Sequence, residues 1–230
     1  MHQSSMLRME WFIGKFVENK KIKLKVLDVG SYDFNGSYKR LFPSGEFDYI
    51  GIDMESGPNV GQVVNTPYHW PEFATDSFDL IISGQAFEHN EFFWLTMEEI
   101  ARVLKPGGKV CIIAPNGFIE HRFPVDCYRF FSDGMIAMAR YVKLDVLHAS
   151  TNAYSKGQEK NWCSEVEADS ILVAQKNYSG EAQLIDRKTY SCTPAIQQNF
   201  LGELKTCQKP KDNAIQKLLM KLYRKAKILA

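Results

Sequence analysis

Residues 78–117 read FDLIISGQAFEHNEFFWLTMEEIARVLKPGGKVCIIAPNG, and the order of patterns within them decides the fold. Leu80-Ile81-Ile82 and Val110-Cys111-Ile112-Ile113-Ala114 are apolar without alternation. Each is therefore expected to be a strand covered on both faces, as strands of a parallel sheet are. Between them Phe93, Met97, Ile100 and Leu104 form one stripe of a helix that Pro106-Gly107-Gly108 should end. Strand, loop, helix, stop and strand make half of an open α/β sheet. Ligands of such sheets sit beyond the carboxyl ends of the strands, where Gln85, Glu88, His89, Asn116 and His121 fall.

Working outward, Ser4 or Ser5 is expected to cap an N-terminal helix running to about Val17, with Met9, Phe12, Ile13 and Phe16 on its apolar side. Leu24 to Val29 reads as the first strand. A turn-rich loop from Gly30 to Ser37 and a short helix from Tyr38 to Leu41 follow. Asp48 to Ile52, ending on Asp53, is the second strand and Gly61 to Val64 the third. After the central segment, Ser132 is expected to cap a helix from Asp133 to Tyr141. Leu144 to His148 and Ser170 to Gln175 are two more strands. Residues 149–169 between them are long for a hairpin loop and suit a lid or substrate wall, with Trp162 as an aromatic anchor.

A chain of 230 residues with 45% hydrophobic content holds one sizeable core. Residues 1–176 are assigned to it, with a helix within 1–20 and an extension over 177–230. The formal charge of +1 hides an asymmetry, because residues 209–230 carry seven Lys or Arg against Asp212 alone, which leaves the first 208 residues at −5. An acidic body argues against nucleic acid as a partner. Ile215, Leu218, Leu219, Leu222 and Ile228 predict a basic amphipathic helix over 212–229. That helix either packs on the body or offers peripheral contact with an anionic membrane or an acidic protein. The five cysteines form no CxxC pair and fit a reducing cytoplasm. Arg8, Glu10 and Lys15 exclude a signal peptide or membrane span at the N-terminus.

The loop after the first strand selects a cofactor class. A dinucleotide fingerprint needs a second glycine two residues after the first, to admit pyrophosphate, and a third three residues later. This chain has Gly30, then Tyr32, then Asp33. An aromatic ring and a carboxylate obstruct a pyrophosphate and suit a sulfonium-bearing nucleoside. Asp53, closing the second strand, is placed to accept hydrogen bonds from ribose hydroxyls. A nicotinamide dehydrogenase is accordingly the poorer reading.

The stretches VLDVGSYDFNGSY, YIGIDMESGPNV, SFDLIISGQAFEHNEFFW and ARVLKPGGKVCIIAPNG resemble, in order, the motifs of class I S-adenosylmethionine-dependent methyltransferases of the methyltransferase domain 11 group, over roughly residues 24–176. The resemblance implies a Rossmann-like three-layer α/β sandwich whose mostly parallel seven-stranded sheet has an antiparallel last strand between strands five and six. It implies S-adenosyl-L-methionine as cofactor, with Asp28, Gly30 and Ser31 at the methionine end, Asp53 and Met54 at ribose and adenine, and Gln85 reaching in from strand four. Thr66 stands where relatives carry an Asp for the adenine amino group. The segment from Glu120 to Phe130, EHRFPVDCYRF, resembles that of bacterial members encoded with surface-glycan or capsule genes. This implies a small polar acceptor, a sugar or nucleotide-linked intermediate, methylated on oxygen.

Methyl transfer is an in-line displacement that orientation can accelerate strongly, and a hydroxyl acceptor must also lose a proton. Histidine is suited to take it near neutrality. His121 beside Asp126 is the first candidate base and His89 the second, although Glu88-His89 also suits a purely structural turn. Tyr128, Arg129 and Trp162 are candidate substrate contacts, with Arg129 alternatively paired to Glu120 or Asp126 as scaffold. Glu88, His89, His121 and Asp126 are also metal-ligand types. A metal-assisted methyltransferase using Glu88, His89 and His121 is an alternative, but no metal is the favoured expectation, because adjacent Glu and His diverge on a regular backbone and Gln85 stands where the resemblance implies that metal-binding relatives carry a further Glu. A sheet that binds cofactor without turnover, acting as a scaffold, is the alternative from another functional class.

Overall fold

A computed structural model of the protein describes residues 3–18, 22–34, 36–117, 119–151, 153–155, 168–177 and 204–206. Strands β1 (Leu24–Val29), β2 (Phe47–Asp53), β3 (Gln62–Val63), β4 (Phe78–Gly84), β5 (Leu104–Gly117), β6 (Leu144–Thr151) and β8 (Ala168–Lys176) form one sheet in the order β3-β2-β1-β4-β5-β8-β6. The pairs among β1 to β5 are parallel, and β8 runs antiparallel between β5 and β6, as expected. Two short strands, β7 (Ala153–Ser155) and β9 (Leu204–Thr206), pair antiparallel in a second sheet.

Neighbouring residues of each central strand enter different cores, which is why their sequence shows no alternation. Leu27, Ile81, Ile112 and Leu172 pack with helices α2 (Phe93–Val103) and α3 (Ser132–Tyr141) on one face. Val26, Ile82, Ile113 and Val173 pack with helix α1 (Gln3–Phe16) and the short 3-10 helix Tyr38–Leu41 on the other. Each such fully buried aliphatic side chain contributes about 1.5–3 kcal/mol. Three layers result.

Four local expectations are corrected. Ser4 and Ser5 lie inside α1 and are buried, because their hydroxyls serve tertiary hydrogen bonds instead of an N-cap. Ser132 is the first helical residue of α3, and its orphan amide is satisfied by Thr151 Oγ1 at 2.7 Å. Leu104 is extended and buried, pairing with Phe78. Pro106-Gly107-Gly108 therefore falls in the irregular stretch where the β4/β5 register shifts, after a helix that has already ended. The helix proposed over 212–229, Trp162 and the core of the 149–169 loop lie outside the described residues.

The chain order reverses between β1 and β4, and the crevice beyond their carboxyl ends is where a sheet of this topology takes its ligand.

Candidate functional site

Gly30 leaves β1 with φ of 75°, and a Cβ built on it would lie 2.4 Å from the Ala86 Cβ. Only glycine permits both the left-handed backbone and this approach of the β1 loop to the β4 loop. The amides of Gly30 and Ser31 both reach the Ile52 carbonyl at 3.0 Å. Ser31 Oγ donates to the Asn59 carbonyl, and Asn59 Nδ2 donates back to the Ser31 carbonyl at 3.0 Å. Asp28 lies beneath this loop, buried, accepting from the Tyr49 hydroxyl. Burial pushes its carboxyl up to about 7, against the hydrogen bonds of Tyr49 and Asn59. Asp28 and Ser31 thus brace the loop from within.

Asp53 ends β2 at the rim. Its Oδ2 accepts from the Tyr32 amide at 3.1 Å, and its Oδ1 from those of Met54 and Glu55 at 2.7 and 3.4 Å. Three backbone donors aim the carboxylate and leave lone pairs for a diol. Asp33 in the same loop accepts from the Gly36 amide at 2.6 Å, a second carboxylate whose charge disfavours a pyrophosphate against this loop. This donor set fits a phosphate-free nucleoside. Met54 is exposed at the same edge, and Thr66 Oγ1 accepts from the Tyr68 amide at 3.3 Å. A cavity of about 780 Å³ adjoins the loop, lined by Gln3, Met6, Asp33, Gly36, Ser37 and Asn59 among others.

Gln85 follows β4 with φ of 57°. Its Nε2 donates to Asp169 Oδ1 at 2.9 Å and to Ser5 Oγ at 3.4 Å. Asp169, fully buried at the start of β8, also accepts from Ser4 Oγ and lies 3.9 Å from Arg8 Nη1, itself buried. Burial pushes the Arg8 guanidinium down, and the Asp169 charge opposes that. The side chain expected at the cofactor is therefore committed to a network that ties α1 to β8. Sequence reasoning missed Asp169, Arg8, Ser4 and Ser5 as one group, because 165 positions separate Ser4 from Asp169.

Glu88 and His89 sit in a 3-10 turn, Phe87–His89. Glu88 is fully buried, and its carbonyl accepts from the amides of Cys127 and Tyr128 at 2.7 and 3.2 Å. His89 Nδ1 lies 2.6 Å from the Val125 carbonyl, so this nitrogen carries the proton and Nε2 presents a lone pair. That Nε2 is 3.7 Å from Glu88 Oε1. The divergence expected of adjacent residues does not occur, because the turn is not a regular strand or α-helix. Burial pushes the His89 pKa down. The His121 ring stands edge-on to that of His89, centroids 5.0 Å apart. Its Nδ1 is 3.2 Å from the Ile119 carbonyl and 3.6 Å from Asp126 Oδ2.

Asp126 is gripped by Arg129 through bonds of 2.5 and 2.7 Å, and it accepts from the His121 amide at 2.7 Å. The Arg129 hydrogen bonds hold its carboxyl well below the usual range. Asp126 thus fixes the backbone that carries His121, and Arg129 takes the scaffold alternative. The Tyr128 hydroxyl donates to the Glu91 carbonyl at 2.8 Å while its ring packs on Phe93.

Rings join the two halves of the rim. Tyr32 stacks on Phe34 at 4.4 Å, Phe34 meets Phe123 edge-on at 4.4 Å, and Phe123 lies 6.5 Å from His89. Phe34 and Phe123 are exposed. Neither carried a periodic signal, since each lies in a loop.

Residues 27–112 match the family described as a methyltransferase domain. No curated protein shows a significant match to the chain. Among solved structures, a chain of the Haloferax volcanii complex containing the Trm112 methyltransferase activator is similar at a TM-score of 0.55 and 17% identity, covering 76% of this chain and 90% of that one. The [4+2]-cyclase SpnF is similar at 0.54 and 15%, covering 74% and 80%. The Burkholderia thailandensis 1,6-didemethyltoxoflavin-N1-methyltransferase, solved with S-adenosylhomocysteine, is similar at 0.54 and 13%, covering 76% and 80%. At these identities the likeness speaks to the fold, which is the Rossmann-like fold of S-adenosylmethionine-dependent methyltransferases. The domain match supports S-adenosylmethionine as cofactor. Among the described residues no helix is long and apolar enough to cross a membrane.

Proposed function

We propose that this protein transfers the methyl group of S-adenosylmethionine to an oxygen of a small polar acceptor, a sugar or nucleotide-linked intermediate of surface-polysaccharide assembly, in the cytoplasm. The observation that carries the reading is the continuous rim from the Asp53-bearing loop, through Tyr32, Phe34 and Phe123, to Glu88, His89 and His121. In this reading the Asp53 carboxylate accepts the nucleoside, and the ring chain links it to a cluster that activates a hydroxyl.

The cofactor supplies an electrophilic methyl on a sulfonium. Asp53, aligned by three amides, accepts from the ribose hydroxyls, and Gly30 lets the loop close on the strand-four turn. The chain's task is then to hold the acceptor oxygen about 3–3.5 Å from the methyl, in line with the bond to sulfur, which supplies several kcal/mol by orientation alone. The acceptor's proton is drawn off at the Glu88-His89-His121 cluster, where His121, the more exposed imidazole, faces the acceptor. The acceptor class rests on the resemblance of residues 120–130.

Calorimetry with S-adenosylmethionine, followed by transfer of labelled methyl to candidate sugars and nucleotide sugars, tests the reading. Asp53→Ala should weaken cofactor binding roughly 10- to 100-fold, the loss of one or two hydrogen bonds to a charged group. His121→Ala should lower turnover much more than cofactor affinity. Tight binding with no transfer to any acceptor would instead make the protein a cofactor-binding scaffold, and no binding at all would remove both.

A further inference from the structure

We propose that Glu88, His89 and His121 form a binding site for a divalent first-row transition ion. Each offers one ligand atom, and these atoms lie within 4.8 Å of one another. Two imidazoles and one carboxylate are the donor types that such ions take, and imidazole favours them over magnesium or calcium. Three protein ligands leave an open position for a water or an acceptor oxygen, the arrangement of catalytic rather than structural sites.

The surroundings are built to hold this set. The Val125 carbonyl fixes the His89 tautomer with Nε2 toward Glu88, as the outer partners of ligating histidines do. Backbone bonds from Cys127 and Tyr128 pin Glu88, and the Arg129–Asp126 pair holds the backbone of His121. Ligand atoms on one tetrahedral ion stand about 3.4 Å apart when bonds are about 2.1 Å. Glu88 and His89, at 3.7 Å, are nearly there, and the half-exposed His121 ring has room to close the rest by rotation. The site differs from a surface acidic cluster in that its carboxylate is fully buried.

The inference rests on the proposed function only for what the ion does: with it bound, the cluster draws off the acceptor's proton by polarising the acceptor oxygen so that the proton passes to water, and the imidazoles serve as ligands in place of a base. The binding itself is independent of it. Full-length protein stripped of metal should be titrated with cobalt(II), read by its visible absorption, and with zinc(II) by calorimetry. One equivalent is expected to bind in the micromolar range or tighter. Glu88→Gln and His121→Ala should each weaken it by about tenfold or more, while S-adenosylmethionine affinity stays within a factor of two or so of wild type. His121 is half exposed, so its variant should fold even if the Glu88 variant does not. Absence of binding, or binding undiminished in folded His121→Ala, overturns the site. Methyl transfer that proceeds fully in chelator would sink the ion's role and leave the methyltransferase reading standing. Metal binding without any methyl transfer would do the reverse.

Discussion

Gly30→Ala probes the junction on which the site depends. The substitution places a residue with a Cβ at φ of 75°, which costs about 1–2 kcal/mol. It also places the new methyl 2.4 Å from the Ala86 Cβ, where carbon atoms prefer about 3.5–4.0 Å. Ala86 cannot simply retreat, since the Gln85 amide is bonded to Ile113 and the Ala86 carbonyl accepts from His89. Overpacking of this kind costs about 1–3 kcal/mol. The sum is about 2–5 kcal/mol, a large part of a stability of about 5–15 kcal/mol, and for a domain of this size a fall in Tm on the order of 10 °C. Urea unfolding and calorimetry with S-adenosylmethionine should show both lower stability and weaker cofactor binding. Gly45→Ala is the control, because nothing lies within 4 Å of its added Cβ, and it should change stability by less than about 0.5 kcal/mol. Gly30→Ala with Ala86→Gly should recover the overpacking share of about 1–3 kcal/mol and leave the backbone share. If Gly30→Ala behaves like the control, or the second substitution recovers nothing, the close approach of the two loops is refuted.

Asp28 and Asp169 yield two more tests. Burial raises the Asp28 carboxyl from 3.8 to about 7, so the folded state binds its proton more tightly than the unfolded chain. Its contribution to stability is complete below about pH 4 and is lost as pH rises through about 7. Asp28→Asn should therefore flatten the decline in urea midpoint between about pH 4 and about pH 7, and a slope equal to wild type would contradict the buried proton. Asp169→Asn removes the charge opposite Arg8 inside the protein and should cost about 3–5 kcal/mol, part of which Arg8→Met in the same chain restores. Unfolding data within error of wild type would dismiss the network that ties α1 to β8.

The sequence by itself determined the sheet. Unalternating runs at Leu80–Ile82 and Val110–Ala114 can exist only with both faces covered, and the helical stripe between them forces a crossover, so local pattern and burial carry the same information. It also singled out Gly30 and Asp53, because each directly follows or closes a strand that the local pattern reveals. Where Ser4 and Gln85 turn their side chains was decided only by tertiary structure, through Asp169, which lies 165 and 84 positions away from them. That Glu88, His89 and His121 share one end of the sheet was legible, but the approach of Glu88 to His89 was not, since a 3-10 turn sets those directions. Local periodicity reports which residues are buried, whereas a polar site depends on which distant backbones fold to face one another.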